Sequence, residues 1–71
     1  MYLFKKERRK DVLKGRTIRY LTNEKIVACT SVHLSNILNG KTPCSYLLAK
    51  NITECADADT TIDNYFIDLE K

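Results

Sequence analysis

Apolar and polar residues alternate along this chain in short runs with a helical period, each run bounded by a capping residue or a glycine. The clearest run is His33 to Lys41, HLSNILNGK. Leu34, Ile37 and Leu38 fall on one side of a short helix, with His33, Ser35, Asn36 and Asn39 on the other. Thr30 is placed to cap this helix, which lasts to Asn39. Gly40 supplies the stop, since a helix ends most readily in a left-handed residue without a Cβ. Upstream, residues 5–13 predict a basic first helix with Val12 and Leu13 as its apolar contacts. Lys14 and Gly15 end it, a cation against the carbonyl end and then glycine. Residues 1–4 are a short arm or that helix's first turn. Thr17 is the expected cap of a second helix running to about Lys25, with Ile18 and Leu21 inward.

The same pattern continues downstream. Thr42 is the expected cap of a fourth helix, with Pro43 at its first position, where a missing N–H costs nothing. Cys44, Leu47, Leu48, Ile52 and Cys55 then mark an apolar face. Residues 56–59 connect to a last helix, opened by Thr60 with Asp63 in the manner of a capping box. Its face is Ile62, Tyr65, Phe66 and Leu69. Ile26 to Cys29 is apolar but too short to be read as a strand. The expectation is an all-α fold: a compact bundle of about five short helices forming a single domain over residues 1–71.

Charge divides the chain. Residues 1–41 carry ten Lys or Arg against Glu7, Asp11 and Glu24, a balance of +7. The remainder carries Lys50 and Lys71 against six carboxylates, a balance of −4. A basic first half suits phosphate and an acidic second half does not. No apolar run approaches the ~20 residues that span a bilayer, and the basic run follows Tyr2-Leu3-Phe4, the reverse of a signal peptide's order. A cytoplasmic protein is expected, with no membrane partner. Cys29, Cys44 and Cys55 are an odd number without a C-x-x-C pair, which argues against a disulfide framework and against zinc. They read as buried or half-buried thiols. His33 reads as a solvated side chain. No nucleophile, base and orienting residue fall together, and there is no glycine-rich phosphate loop, so neither catalysis nor a cofactor is expected.

The segment Ser35-Asn36-Ile37-Leu38-Asn39-Gly40-Lys41 resembles the end of the reading helix in the Cro and lambda-repressor-like (XRE-like) helix-turn-helix family, where "S-x-I-L-N-G-K" is common. The likeness covers roughly Thr17 to Phe66 and is strongest from Leu34 to Pro43. Thr17 and Leu21 would take the threonine and leucine places of the family's "T-Q-x-x-L-A" second helix, with a lengthened turn at residues 26–30. The resemblance implies a lambda-repressor-like DNA-binding domain and a small regulator of a phage or mobile-element genetic switch in a bacterial host cell. It implies operator DNA as the partner, bound as a dimer. Ser31, Val32, His33, Ser35 and Asn36 would face the bases, Arg16, Arg19, Asn39 and Lys41 would hold phosphates, and Thr17 belongs to the same DNA-binding set. Two departures stand out. Ile18 occupies the place of a DNA-bonding glutamine, and the third helix carries no Arg, Lys or Gln, the residues that read guanine and adenine most decisively. An antirepressor that binds a larger repressor protein is therefore the alternative, with Tyr65, Phe66, Ile67 and Leu69 as its contact edge.

Overall fold

The two ends of the chain meet as neighbouring strands. In the computed structural model, which describes residues 1–70, β1 (Tyr2–Phe4) pairs antiparallel with β2 (Phe66–Asp68), with Leu3 opposite Ile67. The ladder extends past both strands, through Lys5 N–H to the Tyr65 carbonyl at 2.8 Å and Leu69 N–H to the Met1 carbonyl at 3.0 Å. Between the strands lie a 3₁₀ turn (Lys6–Arg8), four α-helices and a second 3₁₀ turn (Ile62–Asn64). The helices are α1 (Arg9–Leu13), α2 (Ile18–Asn23), α3 (Ser31–Leu38) and α4 (Tyr46–Ala56).

The fold is thus a mixture of α and β, and the expected five-helix bundle is overturned. The last helix is the element that fails. Ile62 to Leu69 has helical spacing, yet only Ile62–Asn64 winds, as a 3₁₀ turn. The chain then straightens, because pairing with β1 satisfies its backbone groups and a two-residue period sets its faces. Phe66 points inward, 2% exposed, and meets Phe4 edge-to-face with ring centroids 5.2 Å apart. Ile67 points outward and is 49% exposed, and Leu69 is 51% exposed. Tyr65 is also buried, with the Arg8 guanidinium 4.7 Å above its ring. Of the proposed contact edge, Tyr65 and Phe66 are therefore core, while Ile67 and Leu69 are surface.

The same end-pairing displaces the start of α4. Tyr2 and Cys44 exchange two backbone hydrogen bonds of 2.8 Å, which holds Cys44 extended and buried against β1. Helix formation waits until Ser45, whose hydroxyl accepts from Leu48 N–H, so Thr42 and Pro43 lie in the connection. The inward face becomes Ala49, Ile52, Thr53 and Ala56, with Leu47 turned out and 77% exposed.

α1 is shorter than expected but ends where expected. Lys14 and Gly15 both take positive φ, 49° and 78°. Arg16 closes this end by donating from Nε to the Leu13 carbonyl and from Nη2 to the Val12 carbonyl, each at 3.0 Å. One core then joins both strands and all four α-helices: Phe4, Val12, Leu21, Val27, Leu34, Ile37, Leu38, Ile52 and Phe66 are almost wholly buried. Each such side chain contributes about 1.5–3 kcal/mol of apolar burial.

Candidate nucleic-acid interface

The site is built around α3, and its two ends are made locally. The Thr17 hydroxyl accepts from Tyr20 N–H at 3.0 Å and opens α2. The Thr30 hydroxyl accepts from His33 N–H at 3.2 Å and opens α3. Each bond satisfies one of the donors that a helix start leaves without an internal partner. At the far end Asn39 closes the helix and Gly40 turns away with φ 74°. There the Lys41 N–H donates to the Asn36 carbonyl at 3.0 Å.

The connection from α2 to α3 runs over residues 24–30, with Lys25 left-handed at φ 57°. Ile26 N–H and Val27 N–H both donate to the Leu21 carbonyl, at 2.9 and 3.1 Å, and Val27 drops into the core. Asn51 of α4 then fixes this turn from outside. Its Nδ2 donates to the Ile26 carbonyl and its Oδ1 accepts from Ala28 N–H, both at 2.9 Å. One amide thereby substitutes for a strand partner along the turn. The hydroxyls of Thr22 and Ser31 add a 2.7 Å bond between α2 and α3. Nothing local marks Asn51 in the sequence, because its partners are more than twenty residues away.

α3 buries Leu34, Ile37 and Leu38 completely. Opposite them Val32, Ser35, Asn36 and Asn39 form one stripe at helical spacing. Val32 is 73% exposed, Asn39 is exposed, and Ser35 and Asn36 are half-exposed. Asn39 Nδ2 makes a long contact with Ser35 Oγ at 3.5 Å. The other predicted base-facing residues sit on the flanks. Ser31 is engaged with Thr22. His33 turns toward α4 and lines a cleft of about 400 Å³ with Ala28, Cys29, Ser45, Leu47, Leu48 and Asn51.

The predicted phosphate contacts divide in the same way. Arg19 and Lys41 are exposed, and the Thr17 hydroxyl caps α2. Arg16 is committed to the end of α1, and its Nη2 also lies 3.6 Å from the Cys55 sulfur. Its guanidinium holds structure rather than facing solvent freely. In its place stands Lys6, whose side-chain carbons lie 3.9–4.0 Å from where a Cβ on Gly40 would stand. Lys6 and Lys41 therefore flank the C-terminal end of α3. Sequence reasoning missed Lys6, since only the packing of the amino-terminal turn against Gly40 brings it there.

Little of this positive charge is neutralised internally. Among the described residues two ion pairs form, Arg8 with Asp11 at 3.3 Å and the amino terminus with Glu70 at 3.4 Å. The three thiols are free. Burial pushes the Cys29 thiol up, and it pushes Cys44 up to about 11, helped by the nearby Cys29. Both stay protonated at neutral pH, the form that neither attacks carbonyl groups nor binds metal. Among the described residues no three of His, Cys, Asp and Glu gather as a metal site, and no helix is long and apolar enough to cross a membrane.

No protein-family model, no curated protein and no solved structure matches this chain.

Proposed function

We propose that the protein is a small helix-turn-helix regulator that binds operator DNA through the outer stripe of α3. The observation that carries this reading is the two-sidedness of α3: three aliphatic side chains wholly buried, and opposite them a stripe of Val32, Ser35, Asn36 and Asn39 with lysines at one end. Eight residues make a rod about 12 Å long, and the major groove, about 12 Å wide, admits one helix. The polar side chains on that rod are short, so the groove floor is reached by close docking. Arg19, Lys25, Lys6 and Lys41 hold the backbone and fix position, and the stripe supplies sequence preference. Two copies would place their α3 helices in successive grooves of a near-palindromic site, about one helical turn apart. The likeness of residues 34–43 to the Cro-like family supports a role in a phage or mobile-element switch. The proposed role involves no catalytic step.

Four phosphate-binding cations per protomer give a slope of about −3.6 in log affinity against log salt. The expected loss between 50 and 200 mM salt is therefore about a hundredfold for one protomer. Fluorescence anisotropy on duplexes from the DNA flanking its own coding sequence measures this. An affinity that is flat across that range would remove the phosphate-held mode of binding.

A second reading, an antirepressor that captures a larger repressor, is favoured by one observation: the outward face of the sheet is apolar. Ile67 pairs across the ladder with Leu3, Leu69 lies beside Met1, and Met1, Ile67 and Leu69 are each about half-exposed. A protein that ignores its flanking DNA yet releases a purified repressor from it would establish this reading over the first.

A further inference from the structure

On the proposed DNA-binding reading, the chemistry of the stripe restricts which bases it selects. Guanine is read best by a paired donor from Arg or Lys to O6 and N7, and adenine by the amide of Asn or Gln to N6 and N7. Thymine is distinguished by an apolar contact to its methyl group. α3 is SVHLSNIL, with no Arg, Lys or Gln. The stripe presents one large apolar side chain, Val32, which at 73% exposed packs against almost nothing in the free protein. One turn further along stands Asn36, whose side-chain amide makes no hydrogen bond among the described residues, while its backbone carbonyl is fixed by Lys41 N–H. Lys6 and Lys41 lie beyond the last turn of α3, outside the stripe.

We infer that α3 selects A·T base pairs, with the Asn36 amide paired to one adenine and the Val32 side chain set against a thymine methyl. Residues four apart on a helix are separated by about 6 Å along its axis. Base pairs are stacked about 3.4 Å apart. The adenine and the thymine are therefore one to two base pairs apart in each half-site. Ser35, between them on the stripe, has a hydroxyl that accepts or donates and so accommodates either base.

The test uses the intact protein. Sites are first selected from a pool of random duplexes at 50 mM salt, and the recovered site is titrated with wild type, Val32→Ser and Asn36→Ala. Thymines are replaced singly by deoxyuridine, which lacks the methyl, and adenines singly by 7-deazaadenine, which lacks the N7 acceptor. The expected core is A·T. One deoxyuridine weakens wild type about fourfold, the equivalent of one buried methyl at about 0.8 kcal/mol. Val32→Ser is weaker on the parent site and indifferent to that replacement. Asn36→Ala loses about five- to 150-fold, and the 7-deazaadenine that weakens wild type no longer affects it. Both positions are on the surface, and unchanged circular dichroism and melting show that the variants are folded.

A recovered core of G·C pairs overturns the inference and leaves DNA binding standing. So does a deoxyuridine penalty that is the same in Val32→Ser as in wild type. Absence of binding to every duplex at 50 mM salt overturns the proposed function, and the inference with it.

Discussion

The α2–α3 unit and the terminal sheet are held by different kinds of interaction. In the first, every boundary has its own device within a few residues: the Thr17 and Thr30 hydroxyls, the left-handed Lys25, and Gly40. In the second, Tyr2 pairs with Asp68 and Phe4 with Phe66, across nearly the whole chain, and the adjoining 3₁₀ turns have no side-chain caps. A strand pair of three residues a side is not stable by itself in water, and closing so long a loop costs entropy before any contact is gained. The sheet therefore depends on the helices to bring the ends together. The dependence also runs the other way, because Phe4 and Phe66 share one core with Leu34, Leu38 and Ile52. The outer face of α3 is shaped locally, but its stability is global.

The largest effect should come from breaking that shared core at its distal end. Phe66→Ala is expected to cost about 3–5 kcal/mol, most of the stability available to a chain this short. Helix content by circular dichroism and the environment of Tyr2 and Tyr65 should be lost in one coincident transition. If Phe66→Ala kept its helices while the sheet signal vanished, the two regions would be separately stable and the dependence would run in one direction only.

The same contrast explains what was legible in the sequence. The caps at Thr17 and Thr30, the inward trio Leu34, Ile37 and Leu38, and the stop at Gly40 are short-range features, and each occupies its predicted place. Strand β2 is hidden because Ile62, Tyr65, Phe66 and Leu69 follow a helical period, whereas the arbiter, pairing with residues 2–4, is more than sixty residues away. The start of α4 departs from its local signal for the same reason. Thr42-Pro43 is a good local start signal, yet the bridge from Cys44 to Tyr2 overrides it and turns Leu47 outward. At the site the outer stripe was readable from spacing. The engagement of Arg16 with α1, and the arrival of Lys6 and Asn51, were not.

Asn51 is where the rest of the fold reaches into the local unit. Asn51→Ala removes both hydrogen bonds to the turn and leaves the Ile26 carbonyl and Ala28 N–H without them. The expected cost is about 1–3 kcal/mol. Hydrogen exchange should accelerate at Ala28 more than at Phe66 or Phe4. Equal acceleration throughout would mean that the turn has no separate stability for Asn51 to control.

The caps supply a smaller and more local comparison. Thr30→Ala removes the bond to His33 N–H and should cost about 1 kcal/mol. Thr61→Ala, at the start of the second 3₁₀ turn, removes no capping bond and should leave the melting temperature nearly unchanged. Similar losses in both variants would show that side-chain capping does not distinguish the two regions.

The smallest effect is expected on the outer face of the sheet. Ile67 is half-exposed opposite Leu3, and its replacement by Thr keeps a β-branched side chain suited to a strand. If that face is open to water, Ile67→Thr should change stability by no more than about 0.5 kcal/mol. The melting temperature should then be independent of protein concentration in both wild type and variant. A loss well above that size, accompanied by a wild-type melting temperature that rises with concentration, would mean that a second copy covers Ile67 and Leu69. The sheet would in that case be part of an interface, stabilised by association as well as by the helices beneath it.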